Sequence, residues 1–297
     1  MKNQEYLKMI AAVVCCLLIA SSCNDPDDGG LSGDSGVQSI SISPLLDVVD
    51  GAEDLTSLIY TDQSFVFYAW LTADNTPVAM GDDYRFNGLY WTSNGGATYA
   101  DTTSEHALFG YVTGSSADAD YYKAIKYSHG DGDLIYAFAK TTPQKEAVEM
   151  ELKHAVAQLS IEFQFDDFTK DGVVNFSIPD LCESAVMNLT TTPAEYDTSS
   201  AATMTYERSY TASDDVTSAT LTDLLIPQSI ASIEVDVYDS VTTITPDVPL
   251  ELVAGERLHI VINVTKNPFV EVKMGSVSIE PWGSTADVTF SDAIVIE

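Results

Sequence analysis

The chain has little positive charge, little cysteine and no long apolar run, and each scarcity excludes something. Thirteen Lys and Arg stand against 45 Asp and Glu, a formal net charge of −32 over 297 residues. Such a surface repels polyanions, so no nucleic acid is expected among its partners. Three of the four cysteines, Cys15, Cys16 and Cys23, lie at the start. Beyond them only Cys182 remains, and one thiol cannot build an intrachain disulfide framework. Stability must come from packed cores, with Cys182 read as a small buried apolar residue. The apolar run Met9–Ala20 falls well short of the roughly 20 residues that span a bilayer, and no later segment is long enough.

Familiar chemical motifs are missing too. His106, His129, His154 and His259 form no pair at helical spacing, and no Cys/His set exists for structural zinc. HExxH, GxSxG, a P-loop and GxGxxG are all absent. "SHGDGDL" (128–134) and "DDFTKDG" (166–172) look like calcium loops, but lack the EF-hand spacing and its closing glutamate. Carboxylates are so abundant that any glycosidase pair could be proposed, which empties the signal. No enzyme activity, metal or cofactor is expected. Trp70, Trp91 and Trp282, with 15 tyrosines, could form a glycan-stacking platform. Aromatics at strand positions are more often core or cross-strand partners.

What is present begins with a leader. Lys2 and Lys8 precede the run Met9–Ala20, and small residues lead to Cys23, which has the shape of a signal peptide over 1–22. Ala20-Ser21-Ser22-Cys23 resembles a bacterial lipobox, in which the cysteine is lipidated and becomes the first mature residue. The other reading is a secreted protein cleaved nearby. A Cys23 lipid would be the contact with the outer membrane. Residues 23–36, with "NDPDDGGLSGDSG", read as an acidic, flexible tether, and acids at that place resemble a surface-export signal.

From Val37 the text is short strands rich in Val, Ile, Thr, Tyr and Phe, punctuated by Gly, Pro, Asp and Asn. "SFVFYAWLTA" (64–73) is apolar on both faces, as a central strand is. The fold class is all-β. There are more strand candidates than one sandwich of about 100 residues uses. Two sandwiches are expected, over 37–167 and 168–297, divided at the polar stretch 165–172. "MELKHAVAQLSIEF" (150–163) changes phase: apolar positions are even through Val156 and odd from Ala157. A one-residue slip turns every later side chain over. A β-bulge, or a bend between two sheets, would return them to a core. Ala155 and Ala157 leave room for it, and His154 reads as a structural histidine there.

"DLIYAFAKTTPQKEAVEMELKHAVAQLSIEF" (133–163) resembles the hallmark of the fimbrillin family. The matching residues are Asp133-Leu134-Ile135-Tyr136-Ala137, then His154-Ala155-Val156-Ala157 with Leu159. "LTDLLIPQSI" (221–230) and "LELVAGERLHIVINVTKNPFVEVKMGSVSIEPWG" (250–283), with Trp282, resemble later family segments, and "NGLYWTSNGGATYADTTSEHALFGYV" (87–112) resembles its aromatic lead-in. The resemblance runs over about residues 60–283. It implies two tandem transthyretin-like β-sandwich domains, surface lipoprotein export, a role in type V pili or adhesion with other fimbrillin-type subunits, and no enzyme activity. A host or bacterial surface ligand is possible on this reading.

Stalk subunits of that family lose an N-terminal strand to an arginine-specific protease, and a neighbour's strand fills the groove. Here no Lys or Arg lies between Cys23 and Tyr84, and the first is Arg85. Trypsin-like cutting in the tether is therefore impossible, and "VQSISISPLL" (37–46) should stay in place. This points to a membrane-retained, anchor-like or accessory component. In "ADVTFSDAIVIE" (286–297), Val288, Phe290, Ile294 and Ile296 share a face, interrupted by Asp292. The segment is either a strand donated to a neighbour or the last strand of its own sheet. The alternative function is a surface carbohydrate-binding lipoprotein. Asp101-Thr102-Thr103 and Asp239-Ser240-Val241 resemble O-glycosylation sites.

Overall fold

A computed structural model describes residues 38–45, 65–86, 91–93, 96–113, 118–119, 123–166, 173–211, 218–237, 240–265 and 271–281. Cys23, Trp282 and residues 286–297 lie outside them, as does the expected division at 167/168. Every regular element described is a strand, as the composition required. In the first half these are β1 (Ile42–Leu45), β2 (Phe65–Leu71), β3 (Pro77–Phe86), β4 (Trp91–Thr92), β5 (His106–Thr113), β6 (Asp118–Ala119), β7 (Ile125–Ser128), β8 (Leu134–Thr141) and β9 (Val148–His154).

Seven of these close a barrel in the order β1-β4-β3-β2-β5-β8-β9. β1 closes it by pairing parallel to β9, from Ile42↔Val148 to Leu45↔Glu151, and antiparallel to β4 at Ile42↔Trp91. Parallel closure explains how a strand so early in the chain reaches one formed a hundred residues later. β2 sits between β3 and β5, the central place that its two apolar faces called for. Phe67 and Ala69 face the barrel interior with Ile40, Ile42, Tyr84, Trp91 and Tyr99. Tyr68 and Trp70 face outward into a second core with Phe109, Tyr111 and Tyr136.

The rest of the chain supplies β10 (Ala157–Asp166), β11 (Val173–Cys182), β12 (Ser184–Asn188), β13 (Glu195–Asp197), β14 (Thr203–Thr211), β15 (Ser218–Leu225), β16 (Ser229–Ile230), β17 (Ile233–Val237), β18 (Ser240–Ile244), β19 (Leu250–Glu251), β20 (Glu256–Thr265) and β21 (Glu271–Pro281). The sheet β15-β10-β20-β21 and the sheet β14-β11-β17-β18 share one core. That core holds Leu159, Ile161 and Phe163 from β10, Phe176 from β11, and Ile260 and Ile262 from β20, each at most 1% exposed. Two sheets around one apolar layer is the sandwich arrangement.

A fourth sheet, β13-β12-β7-β6, takes strands from both halves of the chain. β7 pairs with β12 from Ser128↔Ser184 to Ile125↔Met187. It covers the outer aromatic face of the barrel through Ile125, Tyr127, Ala185 and Met187. The two halves are therefore joined by backbone hydrogen bonds and a shared core, and the described residues form one compact unit. β10 lies before the expected division, yet it bonds to β15 and β20, both from the second half.

Candidate functional site

Two places gather the residues singled out in the sequence: the crossover from β9 to β10, and the seat of the first strand. The crossover resolves the phase change. β9 buries its even residues, Val148, Met150 and Leu152, in the barrel. Residues 155 and 156 then carry the chain across, and β10 buries its odd residues in the sandwich. The slip is the bend between two sheets, with each phase correct for its own core. Ala155, Val156 and Ala157 are all fully buried. Ala155 and Val156 lie in the core between the halves and Ala157 in the sandwich core, and larger side chains at 155 or 157 would overpack them.

Three bonds fix the crossover. The Ala155 amide donates to the Leu134 carbonyl at 2.8 Å, tying it to the barrel. The Gly255 amide donates to the Val156 carbonyl at 2.9 Å, tying it to the start of β20. Gly255 has φ of +74°, a conformation that favours glycine. His154 Nδ1 lies 2.9 and 3.1 Å from the two oxygens of the Asp133 carboxylate. Thus the Asp133 and His154 that carry the family resemblance meet side chain to side chain, at 28% and 12% exposure. Replacing Asp133 with Asn, or His154 with Ala, should each cost on the order of 1–2 kcal/mol in chemical denaturation. The double variant should cost clearly less than the sum. Full additivity would show the pair to be incidental. Leu159, the last residue of the matched motif, is core in β10.

The same junction holds His129. Its ring meets the Tyr206 ring edge-on at 5.9 Å, and Arg208 lies over the same tyrosine at 4.5 Å. Arg208 is itself bound by the Asp223 carboxylate. Burial, and then the nearby guanidinium, hold His129 below the ordinary histidine range. The unfolded chain therefore takes up this proton first as pH falls. Stability is expected to fall with pH from about 6.5 downward. His129→Gln should flatten that part of the stability–pH curve, read from denaturation midpoints between about pH 7 and pH 5. An unchanged slope would contradict this.

The seat of the first strand is built from three pieces. β9 binds one edge of β1, β4 meets the other, and residues 97–99 continue that edge toward the N-terminus. Ile40 donates to the Ala97 carbonyl at 2.8 Å, Tyr99 to the Gln38 carbonyl at 2.9 Å, and Val148 to the Ser41 carbonyl at 2.8 Å. The Tyr84 hydroxyl donates to the Ile40 carbonyl at 3.2 Å. Ile40 and Ile42 are 2% and 1% exposed. In the full-length chain this strand is paired on both sides, with Ile40 and Ile42 in the barrel core.

The other candidates fare differently. Trp70 and Trp91 are 4% and 3% exposed, so neither offers a face to a sugar. Their reading as core residues holds. In 128–134, Asp131 accepts the Ser128 amide at 2.7 Å, and Asp133 is engaged by His154. No group of three or more His, Cys, Asp or Glu among the described residues could hold a metal. Cys182 is half-buried rather than buried, because it ends β11 beside a bulge. One arrangement had no signal in sequence spacing. On the outer face of the sheet, His259 lies between Ser160 Oγ at 3.2 Å and Glu162 Oε2 at 3.3 Å. It has the parts of a nucleophile and base. However, β10 is paired along both edges here, by β15 and β20, so the strand has no spare amides to hold an oxyanion. The three residues read as cross-strand neighbours.

The described residues thus form an all-strand body with a barrel core, a sandwich core and a third core between them. The fimbrillin-like family model matches residues 59–282, and the chain belongs to that family. A candidate cell adhesion protein from Bacteroides ovatus has a similar crystal structure, with TM-score 0.56 at 17% identity, covering 83% of this chain and 98% of that one. A second, from Bacteroides uniformis, gives 0.55 at 16%, covering 82% and 99%. A fimbrial protein from Bacteroides vulgatus gives 0.53 at 14%, also covering 82% and 99%. These similarities establish the fold. No curated protein matches the chain in sequence.

Proposed function

We propose that this chain is a non-enzymatic, lipid-anchored surface subunit of type V pili, retained at the outer membrane and acting in adhesion or in pilus anchoring and assembly. Family membership and the fimbrial and adhesion neighbours support the class. One observation carries the anchor-like role. The first strand fills its seat, and the chain before Arg85 offers a trypsin-like protease no site after Cys23. Arg85 lies in β3, paired with Thr92 of β4, and a cut there would release β2, a central strand of the barrel, along with the first strand.

The seat is where strand exchange would occur, since an extended segment there is held by backbone bonds with alternate side chains in pockets. Other fimbrillin-type subunits are the expected partners. Residues 286–297, with Val288, Phe290, Ile294 and Ile296, are the candidate segment for donation to a neighbour, the other reading being the last strand of their own sheet. The Cys23 lipid holds the chain to the membrane. Mass spectrometry of outer-membrane fractions should find Cys23 acylated and the mature N-terminus intact after treatment with an arginine-specific protease. A mature form starting between residues 36 and 64 would overturn the retained role. Deleting 286–297 should abolish co-assembly and leave thermal unfolding unchanged; loss of folding would make that segment part of its own sheet.

A further inference from the structure

We propose that the loop 99–106, braced by His106, is a preformed rail that positions whatever strand occupies the N-terminal seat. This rests on the strand-exchange reading above and names the element that controls it. Of the three pieces of the seat, β9 is held by β8 and β4 by β3. Residues 97–99 belong to no sheet; their contact with the strand is an isolated bridge, Ser39↔Thr98, flanked by the bonds to Gln38 and Ile40. Something other than a sheet must hold them in line.

His106 does this from beneath. Its side chain is fully buried at the start of β5. Nε2 accepts the Ala100 amide at 3.0 Å, and Nδ1 lies 2.9 Å from the Ser104 carbonyl. An acceptor at one nitrogen and a carbonyl at the other define the neutral ring with its proton on Nδ1. The ring also meets Tyr99 edge-on at 5.0 Å, and Tyr99 donates directly to the strand. Asp101 closes the loop. Its carboxylate accepts the Thr103 amide at 2.8 Å, the Ser104 amide at 2.6 Å, and the Ser104 hydroxyl. Those bonds hold Asp101 down to about 2. None of these braces includes an atom of residues 38–45, so the rail stays formed when the strand leaves. A pre-organised rail spares an incoming strand the cost of ordering its receptor. The occupant it fits is an extended peptide with branched aliphatic side chains two residues apart, as at 40 and 42, and small residues between.

The test is amide exchange in the full chain, comparing wild type with His106→Phe, which removes the acceptor, and His106→Gln, whose amide oxygen can replace Nε2. In His106→Phe, exchange at Ile40 and Tyr99 should speed roughly tenfold, the size of one lost buried hydrogen bond, while β10 and β20 stay protected. His106→Gln should return the rate to within about threefold of wild type. Uniform acceleration, no acceleration, or no rescue by glutamine would each overturn the proposal. If His106→Phe does not fold, Asp101→Ala removes the outer brace and should speed the same two amides selectively; unchanged rates there would overturn it. A labelled peptide of sequence QSISISPL reports on exchange separately. Uptake by the wild type that is held less tightly by the loosened variant supports both readings. Selective amide acceleration without uptake keeps the rail and sinks strand exchange.

Discussion

Replacing Ile40 and Ile42 together with alanine is expected to unfold the first barrel while the second sandwich stays folded. Each isoleucine is almost completely buried, and truncation of such a residue costs about 2–5 kcal/mol. The two sites share the barrel core with Tyr84, Trp91 and Tyr99, so their effects will not be strictly additive. Even the lower sum is a large part of the roughly 5–15 kcal/mol that holds a domain together. The backbone pairing that remains is short: four positions on β9, one on β4, the bridge to Thr98 with its two flanking bonds, and the Tyr84 hydroxyl. Once it leaves, β9 and β4 present open edges beside an apolar floor, which favours association. Trp91 lies opposite Ile42, so its fluorescence should report an early transition separate from global unfolding. A single unshifted transition would mean that the strand contributes little to the barrel. The same experiment measures how readily the seat could be vacated.

Deleting Val156 is expected to have the larger effect. The crossover is two residues long, and β10 must begin with Ala157 facing the sandwich core. Shortening it by one pulls β10 out of phase or breaks the tie from Gly255 to the crossover. In the first case Leu159, Ile161 and Phe163 turn outward. Fully exposing such side chains costs about 1.5–3 kcal/mol each, enough together to exhaust the stability of a domain. The variant should lose the cooperative melting transition of the second sandwich and the matching amide protection along β10 and β20. Substituting Val156 with Ala, which keeps the length, should cost about 0.5–2 kcal/mol and preserve the transition. Equal damage from both changes would mean that packing at 156, not chain length, sets the register.

Much of this was legible in the residues because strand periodicity is local. The two apolar faces of 65–71 announced a central strand, and β2 is central. The phase change at 156/157 announced a bulge or a bend between sheets, and it is the bend. What could not be read was the partner of each strand. Nothing in "AQLSIEFQFD" (157–166) says that it bonds to residues 218–225 and 257–265, so the polar stretch 165–172 looked like the natural division. Nothing in "IKYS" (125–128) announces a pairing with 184–187. The Asp133–His154 contact was within reach, since the hairpin of β8 and β9 sets Ile135 opposite His154 and leaves Asp133 beside it. His106 carried no signal at all, because its partners are backbone atoms at 100 and 104.

The amino-acid order alone establishes an acidic, all-β chain with a single cysteine beyond residue 23 and a fimbrillin-like text without the familiar catalytic motifs. Composition, charge and period two are properties of neighbours along the chain, and they survive without a fold. The closing of the barrel by β1, the two-residue crossover, the sheet shared by both halves and the His106 brace come from contacts between residues far apart in the chain. Those depend on how sheets twist, pack and satisfy their edges, which no local pattern encodes. "MELKHAVAQLSIEF" belongs to both: its change of phase is written in the residues, and the two cores that require it exist only in the folded chain.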